Sequence, residues 1–490
     1  MTPPVRSRHI TSSFAATSSE QLPTQSGTET IDPTAIKNDL RPPNDSSNQA
    51  EILAILLVYF VQGAIGLAGL ARSFFLKDQL GLDPASSAAV LGFATLPWTF
   101  KPLYGFLSDS VPLFGYRKRS YLILSGLVGS ASWLAMSSIV HDANAALLYT
   151  LTGSGAIAIA DVVIDSIVVE RTREASESAI CETSDEQCEV ALKEKTSTAG
   201  DLQSLCWGAS AVGSTVSAYF SGSLLEKYSP MNIFAITAIF PLIIAVASLG
   251  VREQRVGQND DFFSNDDNTR LLSTFKDQLI KLKDTITTPS IYLPVLFVFL
   301  WRATPSADSA SFYFSVNDLG FKPDFLGKVN LVASLASLFG IVVYRWKLKD
   351  FNVKDVIFWT TLLSVPLSLT QLLLVTHKNL ELGIPNEFFF LIDNTVLVVL
   401  GQVAFMPTLA LAASLCPPGI EGTLFASLMS IYNAGGLVSQ ELGAAVTQWF
   451  GVTDSEFSNL PQLITLCSLS SLLTLPFINV LGDTDGNEKN

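Results

Sequence analysis

Asp161 and Asp165 stand four residues apart inside an apolar run at 145–169, which puts both carboxylates on one face of a helix. Two acids so placed could share or carry a proton, bind a ligand with paired hydrogen bonds, or serve as structural partners for a nearby base. Arg302 lies near the middle of another apolar run, 290–314, which Pro294 and Pro305 interrupt, and its closest acid in the sequence is Asp308. A guanidinium at that depth suits the carboxylate of a dissolved anion; a purely structural Arg302–Asp308 pair is the plainer reading. Lys101, just before Pro102, has three readings: it snorkels to the interface, neutralises an aspartate of the 145–169 run, or touches substrate. Tyr59 and Gln62 mark the run 52–72, and Asp393, Asn394 and Gln402 the run 387–413. Trp98, Tyr104 and Trp207 offer flat surfaces for a ring, although packing is the usual role of such aromatics. Charge in hydrocarbon costs several kcal/mol and is kept mainly in cavities or pairs. The expected substrate contacts are therefore Arg302, Asp308, Asp393, Gln62 and Trp98, and the expected proton carriers Asp161 and Asp165.

A second cluster has a different character. The segment LPWTFKPLYGFLSDSVPLFGYRKRSY, 96–121, runs an apolar helix through Gly105 to Ser108-Asp109, turns through Pro112 and Gly115, and launches the next apolar run from Arg117, Lys118 and Arg119. A small residue permits close helix contact, and an acid at a helix end can bond helix termini or basic groups where water thins out. Asp109, Arg117 and Arg119, with Lys101 eight residues before Asp109, are expected to form a hinge and gate latch.

The elements that must hold these groups follow from hydropathy. Apolar residues make up 48% of the 490 and charged ones 15%, and the chain divides into twelve apolar runs approaching the roughly 20 residues that span a bilayer. They lie at 52–72, 85–107, 120–139, 145–169, 199–225, 231–251, 290–314, 325–346, 354–376, 387–413, 422–450 and 461–481. This is an all-α, multi-pass integral membrane protein. A polar stretch, 252–289, separates the sixth run from the seventh, and its Leu271, Leu272, Phe275, Leu279 and Leu282 have the spacing of an interfacial amphipathic helix. The expected organisation is a disordered tail (1–50), a six-helix bundle (51–251), a cytoplasmic linker (252–289), a second six-helix bundle (290–482) and a short tail (483–490). With the N-terminus inside, twenty-two of the thirty basic residues fall on the cytoplasmic side, while Arg72, Lys77, Lys227, Lys322, Lys328 and Lys378 fall opposite. That asymmetry places both termini in the cytosol or its organellar equivalent.

Other classes are disfavoured. The formal charge of −14 comes from acids concentrated in tails and loops, which read as solvated segments. Cys206, Cys416 and Cys467 lie in or beside apolar runs and behave as small hydrophobes, and Cys181 and Cys188 share a cytosolic loop where a disulfide is not expected. Three scattered histidines give no metal site, and no cofactor or nucleic-acid partner is expected. No nucleophile–base arrangement rises above chance, so an enzyme is not expected. The first nineteen residues lack acids and contain Arg6 and Arg8, a composition shared by flexible tails and organelle transit peptides, which leaves a plasma membrane and an organellar one, a plastid's included, both open.

Taken together, LPWTFKPLYGFLSDSVPLFGYRKRSYL (96–122), ADVVIDSIVVERTRE (160–174), AGDLQSLCWG (199–208) and CPPGIEGTLFASLMSIYNAGG (416–436) resemble the folate-biopterin transporter family of the major facilitator superfamily over about 50–481. The loop 178–196 departs from that pattern. The resemblance implies paired six-helix bundles, a central cavity lined by the first, fourth, seventh and tenth helices, and carriage of folates, pterins or related organic anions by alternating access. It also implies that 96–121 is the cytoplasmic hinge between helices 2 and 3. Under it, Arg302 would attract a substrate carboxylate, an aspartate of helix 4 or 10 would meet a pterin edge, and a helix 4 aspartate would couple transport to protons as a symporter. An amino acid or another small organic solute would suit the same groups. A non-transporting receptor or scaffold on the same fold is the reading from a different class.

Overall fold

The chain's apolar runs fold as helices that reverse direction at each polar break. The computed structural model describes residues 45–180, 188–253, 255, 287–349, 351–415 and 421–481, and among them no strand occurs. In chain order the helices are α1 (Gln49–Gln79), α2 in two parts (Pro84–Phe93 and Lys101–Ser110, joined by a 3-10 turn at Leu96–Phe100), α3 (Arg119–Ser138), α4 (Ala143–Ile180), α5 (Cys188–Lys227) and α6 (Pro230–Gly250). Then follow α7 in two parts (Pro289–Arg302 and Asp308–Asn317), α8 (Pro323–Leu348), α9 (Val353–Val375), α10 (Asn386–Ser414), α11 (Glu421–Trp449) and α12 (Leu460–Leu481). Eight of these are long and apolar enough to cross a membrane among the described residues, which is consistent with the twelve spans expected. The residues from Gln49 onward belong to one compact unit.

Two features differ from the sequence reading. Helix α1 runs to Gln79 rather than stopping at Arg72, so Arg72 and Lys77 lie within it and not in a loop. Helices α4 and α5 likewise extend into the polar segment expected as a loop, to Ile180 and from Cys188. Apolarity measures what lipid tolerates, whereas a helix continues into water for as long as its backbone is well bonded. The linker helix expected at 271–282, and Cys181 and Cys416, lie outside the described residues.

Helices α2 and α7 are broken at membrane depth. In α2, Pro97 and Pro102 each lack an N–H, and the chain responds with a 3-10 turn that re-aims Trp98 and Lys101. In α7 the helix stops at Arg302 and resumes at Asp308, with Pro305 in the gap. The freed backbone is satisfied by α11: Ser439 Oγ donates to the Thr304 carbonyl at 2.6 Å, and the Ser306 N–H donates to the Ser439 carbonyl at 3.4 Å. Irregular backbone at membrane depth survives only where protein re-satisfies it in this way.

Because successive helices run antiparallel, the starts of α1 and α7 and the ends of α6 and α12 share one end, here called the tail end. At the opposite, far end a single apolar core joins the two sets of six helices: Phe75, Trp133 and Phe234 pack in one cluster with Phe321, Leu326 and the partly buried Phe312 and Phe390. Gly222 of α5 and Gly327 of α8 meet there so closely that a Cβ on Gly222 would lie 2.7 Å from the Gly327 Cα. Toward the tail end the cores are separate. Ile55, Leu122, Ile164 and Ile244 form one, and Phe297, Ile357, Leu411 and Ile478 another.

Candidate functional site

The two acids of α4 have different partners. Lys101 Nζ lies 2.5 Å from Asp161 Oδ2, and the same ammonium stands 4.8 Å from the centre of the Trp98 ring. Trp98 is fixed in turn by donating from Nε1 to Ser154 Oγ of α4 at 3.1 Å. The 3-10 turn of α2 is what brings Trp98 and Lys101 to one side. Of the three readings of Lys101, neutralising an α4 aspartate is the one this geometry realises. Asp165, one turn along α4, is held by a hydrogen bond donated from the Tyr59 hydroxyl of α1. It remains exposed, so it borders a water-accessible space. Gln62, one turn beyond Tyr59, has a buried Nε2 with no partner among the described residues. Asp161 is thus ion-paired, whereas Asp165 is hydrogen-bonded to a neutral hydroxyl.

Across the seam between α2 and α11 stands Arg302. Its guanidinium lies 5.4 Å from the Tyr432 ring centre and beside Gly436 of α11, and its stem packs on Gly435, where a Cβ would come within 2.9 Å of the Arg302 Cβ. It makes no ion pair among the described residues and is exposed. Asp308 is likewise exposed and accepts from Gln440 Nε2 at 3.4 Å, so the structural Arg302–Asp308 pair does not form. The two sides are tied together by Asn433 of α11, whose Nδ2 donates to the Trp98 carbonyl at 3.3 Å. A continuous path of contacts therefore runs from Asp161 through Lys101 and Trp98 to Asn433, whose neighbour Tyr432 stacks on Arg302. Asp393 takes no part in it: the Thr370 hydroxyl of α9 donates to its carboxylate. Gln402 accepts from Ser337 Oγ of α8 at 3.0 Å.

At the tail end the basic triplet is gripped through its backbone. Glu253 accepts from the N–H groups of Arg117 (2.5 Å), Lys118 (3.0 Å) and Arg119 (2.8 Å), placing a carboxylate at the N-terminus of α3 where the helix dipole favours it. Lys118 Nζ pairs with Glu170 of α4 at 2.6 Å, and Arg119 stacks on Tyr116 with 5.4 Å to the ring centre. Arg171 binds Glu51 at 3.0 Å and the Arg252 carbonyl at 2.8 Å. Asp109 is exposed and makes no hydrogen bond or ion pair among the described residues, so it is not joined to Arg117 or Arg119 here. The far end, by contrast, is sealed. The Tyr313 hydroxyl donates to the Leu82 carbonyl at 2.5 Å and lies 2.7 Å from Ser87 Oγ, beside an edge-on contact of Phe74 and Phe312 at 5.3 Å.

Several participants were not singled out in the sequence. Glu441 is the lone acid within the apolar run 422–450, and the census that found Asp161 would have found it. Tyr432, Asn433 and Ser439 gave no such signal, because uncharged polar residues in membrane helices are common. Glu253 and Glu51 read as loop acids, and only their fold neighbours give them a role.

Comparison with known proteins adds three findings. The model of the BT1 family matches residues 62–182 and 178–490. A folate-biopterin transporter of Synechocystis sp. is 46% identical over 90% of this chain and 83% of its own length, and folate transporter 2 of Plasmodium falciparum is 30% identical over 89% of each. Among solved structures, the nucleoside transporter NupG superposes with a TM-score of 0.63 at 16% identity, covering 88% of this chain and 99% of that one. A D-xylose–proton symporter superposes with a TM-score of 0.55 at 13% identity, over 87% of this chain and 96% of that one. At such identities the likeness is one of fold: two six-helix bundles of the major facilitator type.

Proposed function

The chain belongs to the BT1 family of membrane transporters, and on that premise we propose that it carries folates, pterins or a related organic anion across a membrane by alternating access, coupled to protons. The observation that carries this reading is Arg302, an exposed guanidinium midway along the interrupted α7 with no acid paired to it among the described residues. An unpaired cation at that depth is costly in hydrocarbon, and a dissolved anion in a water-filled cavity relieves it. Tyr432 and Trp98 line the same seam and offer flat surfaces to a pterin ring. Asp165, bonded to Tyr59 but to no cation among the described residues, can meet the guanidine-like pterin edge or take up a proton. Asp161 is committed to Lys101. Gln62, with its unpaired Nε2, and Asp308 extend the polar lining.

The separate tail-end cores and the shared far-end core are those of a carrier open toward its tail end. Residues 51–251 and 290–482 are the two rocking bundles, 252–289 links them, and basic residues put the tail end in the cytosol or its organellar equivalent. Asp109, without a bond among the described residues, and the Arg117–Arg119 loop clamped by Glu253 form a latch that engages when the tail end closes. The host membrane is a plasma membrane or an organellar one, a plastid's included. Uptake of labelled folate, a neutral pterin, a nucleoside and an amino acid into proteoliposomes, with and without a pH gradient, tests the reading. Accumulation of folate or pterin driven by the gradient supports it; transport confined to the nucleoside or amino acid, or none, overturns it.

A further inference from the structure

Glu441 is a carboxylate in the apolar stretch of α11, about eight residues, or roughly 12 Å of helix, from its far-end terminus. It is wedged into α2. A Cβ on Gly92 would lie 2.5 Å from Glu441 Oε1 and 2.9 Å from Gln440 Cβ, so the glycine is what lets the acid approach the α2 backbone this closely. Oε1 is buried with no hydrogen-bond partner, while a backbone hydrogen bond from Phe93 reaches the carboxylate. No cation compensates it among the described residues. The facing stretch of α2, Pro84–Phe93, contains no titratable residue, and Asp83 at its start is spent capping Ser86. Further along α2, Lys101 is committed to Asp161. Helix α7 contributes Arg302, stacked on Tyr432, and Asp308, bonded to Gln440; α10 contributes Asp393, bonded to Thr370; and α12 contributes the Cys467 thiol.

The α2–α11 crossing is part of the contact that closes the far end. Two residues on from Glu441 in α11, Gly443 packs on the Ser306 backbone of α7, and on α2 the Ser87–Tyr313 contact completes the seal. An ionised carboxylate with an oxygen left unpartnered against Gly92 opposes this packing, whereas a neutral carboxyl fits it. We propose that Glu441 is a proton-binding residue that governs closure of the far end: one proton taken from far-end water lets α11 seat on Gly92, and loss of that proton lets water back in and parts the two helices. This deepens the transport reading, on which it rests for its meaning, by giving the proton a place separate from the α4 acids and a mechanical consequence. A carrier so built closes over its cargo only when the far-end solution has supplied the proton.

Thiol labelling of a Val316→Cys variant, at a partly buried position of the far-end core, tests it in proteoliposomes without any substrate. From about pH 5.5 to about pH 8 the labelling rate, taken at each pH relative to that of the same thiol in denatured protein so that thiolate formation cancels, is expected to rise roughly tenfold, a change of about 1.4 kcal/mol in the closing equilibrium. Adding Glu441→Gln should hold the rate at its slow, low-pH value throughout, and Glu441→Asp should retain a displaced pH response, which separates loss of titration from loss of fold. A pH-independent rate in the Val316→Cys parent overturns the proposal, as does a parental response surviving in Glu441→Gln. If Asp308→Asn abolishes the response and Glu441→Gln does not, the proton belongs to Asp308 and the assignment is overturned. Because labelling needs no cargo, its outcome is independent of which solute the uptake assays identify.

Discussion

Replacing Lys101 with Met strips Asp161 of its partner and leaves a carboxylate in a site where both side chains are more than four-fifths covered, at 18% and 16% exposure. At the observed 2.5 Å, two unit charges in an effective dielectric of about 20 attract by roughly 7 kcal/mol. Desolvation of both groups offsets much of that, while breaking a buried pair by removing one member costs about 3–5 kcal/mol. Partial exposure here lowers the expected cost of Lys101→Met to about 2–3 kcal/mol, and of Asp161→Asn to a similar figure. Removing both charges leaves no orphan, so the double variant should be more stable than the summed single losses imply, by about 2 kcal/mol. Unfolding of the purified carrier in detergent, followed by tryptophan fluorescence against temperature and denaturant, supplies the cycle. Uptake should follow stability, with the double variant recovering part of what either single loses. Losses that add to within about 0.5 kcal/mol would refute the pairing and make Lys101 a candidate substrate contact again.

Glu253→Ala removes the acceptor for three N–H groups at the start of α3 and should cost about 2–3 kcal/mol, with Glu253→Gln costing less, read by the same unfolding measurement. Gly327→Ala sets a methyl against the Gly222 backbone, which cannot yield as a side chain would; about 1–3 kcal/mol of destabilisation and faster labelling of far-end cysteines are expected, and a neutral effect would mean that α5 and α8 do not meet there. Asp109→Asn, at a group with no bond among the described residues, should leave folate affinity within about twofold while slowing exchange at least about tenfold if the proposed latch holds. Loss of equilibrium affinity with unchanged exchange would remove Asp109 from the latch.

The helices were legible because lipid imposes one rule on the whole chain: bilayer-length apolar runs, punctuated by polar turns. Their starts agree with the structure to within a few residues from α6 onward, as at Pro230, Pro289 and Pro323, where a proline opens the helix and marks its first turn. Hydropathy misplaced the boundaries where helix and apolar run part company, at Arg72 in α1 and at the polar ends of α4 and α5. Within the site, the depth of Asp161, Asp165 and Arg302 was readable, but their partners were not. That Lys101 reaches Asp161 and leaves Asp165 to Tyr59 depends on the 3-10 turn of α2, and no spacing rule connects residue 101 to residue 161. Asp393 looked equivalent to the other intramembrane acids, yet its rotation toward Thr370 is set by how α9 and α10 pack. Glu441 was visible as a lone acid, but its notch required knowing that Gly92 lies opposite.

Affinity and uptake of Arg302→Ala, measured side by side for folate and for a neutral pterin, put anion capture at this site to its most direct test. Among the described residues Arg302 is anchored by stacking on Tyr432, by its stem on Gly435 and by its guanidinium against Gly436, so its removal should leave the fold largely intact. A charge-assisted hydrogen bond to a carboxylate is worth about 1.5–3 kcal/mol. Folate binding should therefore weaken roughly tenfold to a hundredfold while the neutral pterin changes by less than about threefold. Equal loss for both ligands in a stably folded variant, or unchanged folate affinity, would contradict the claim that this guanidinium receives the anion.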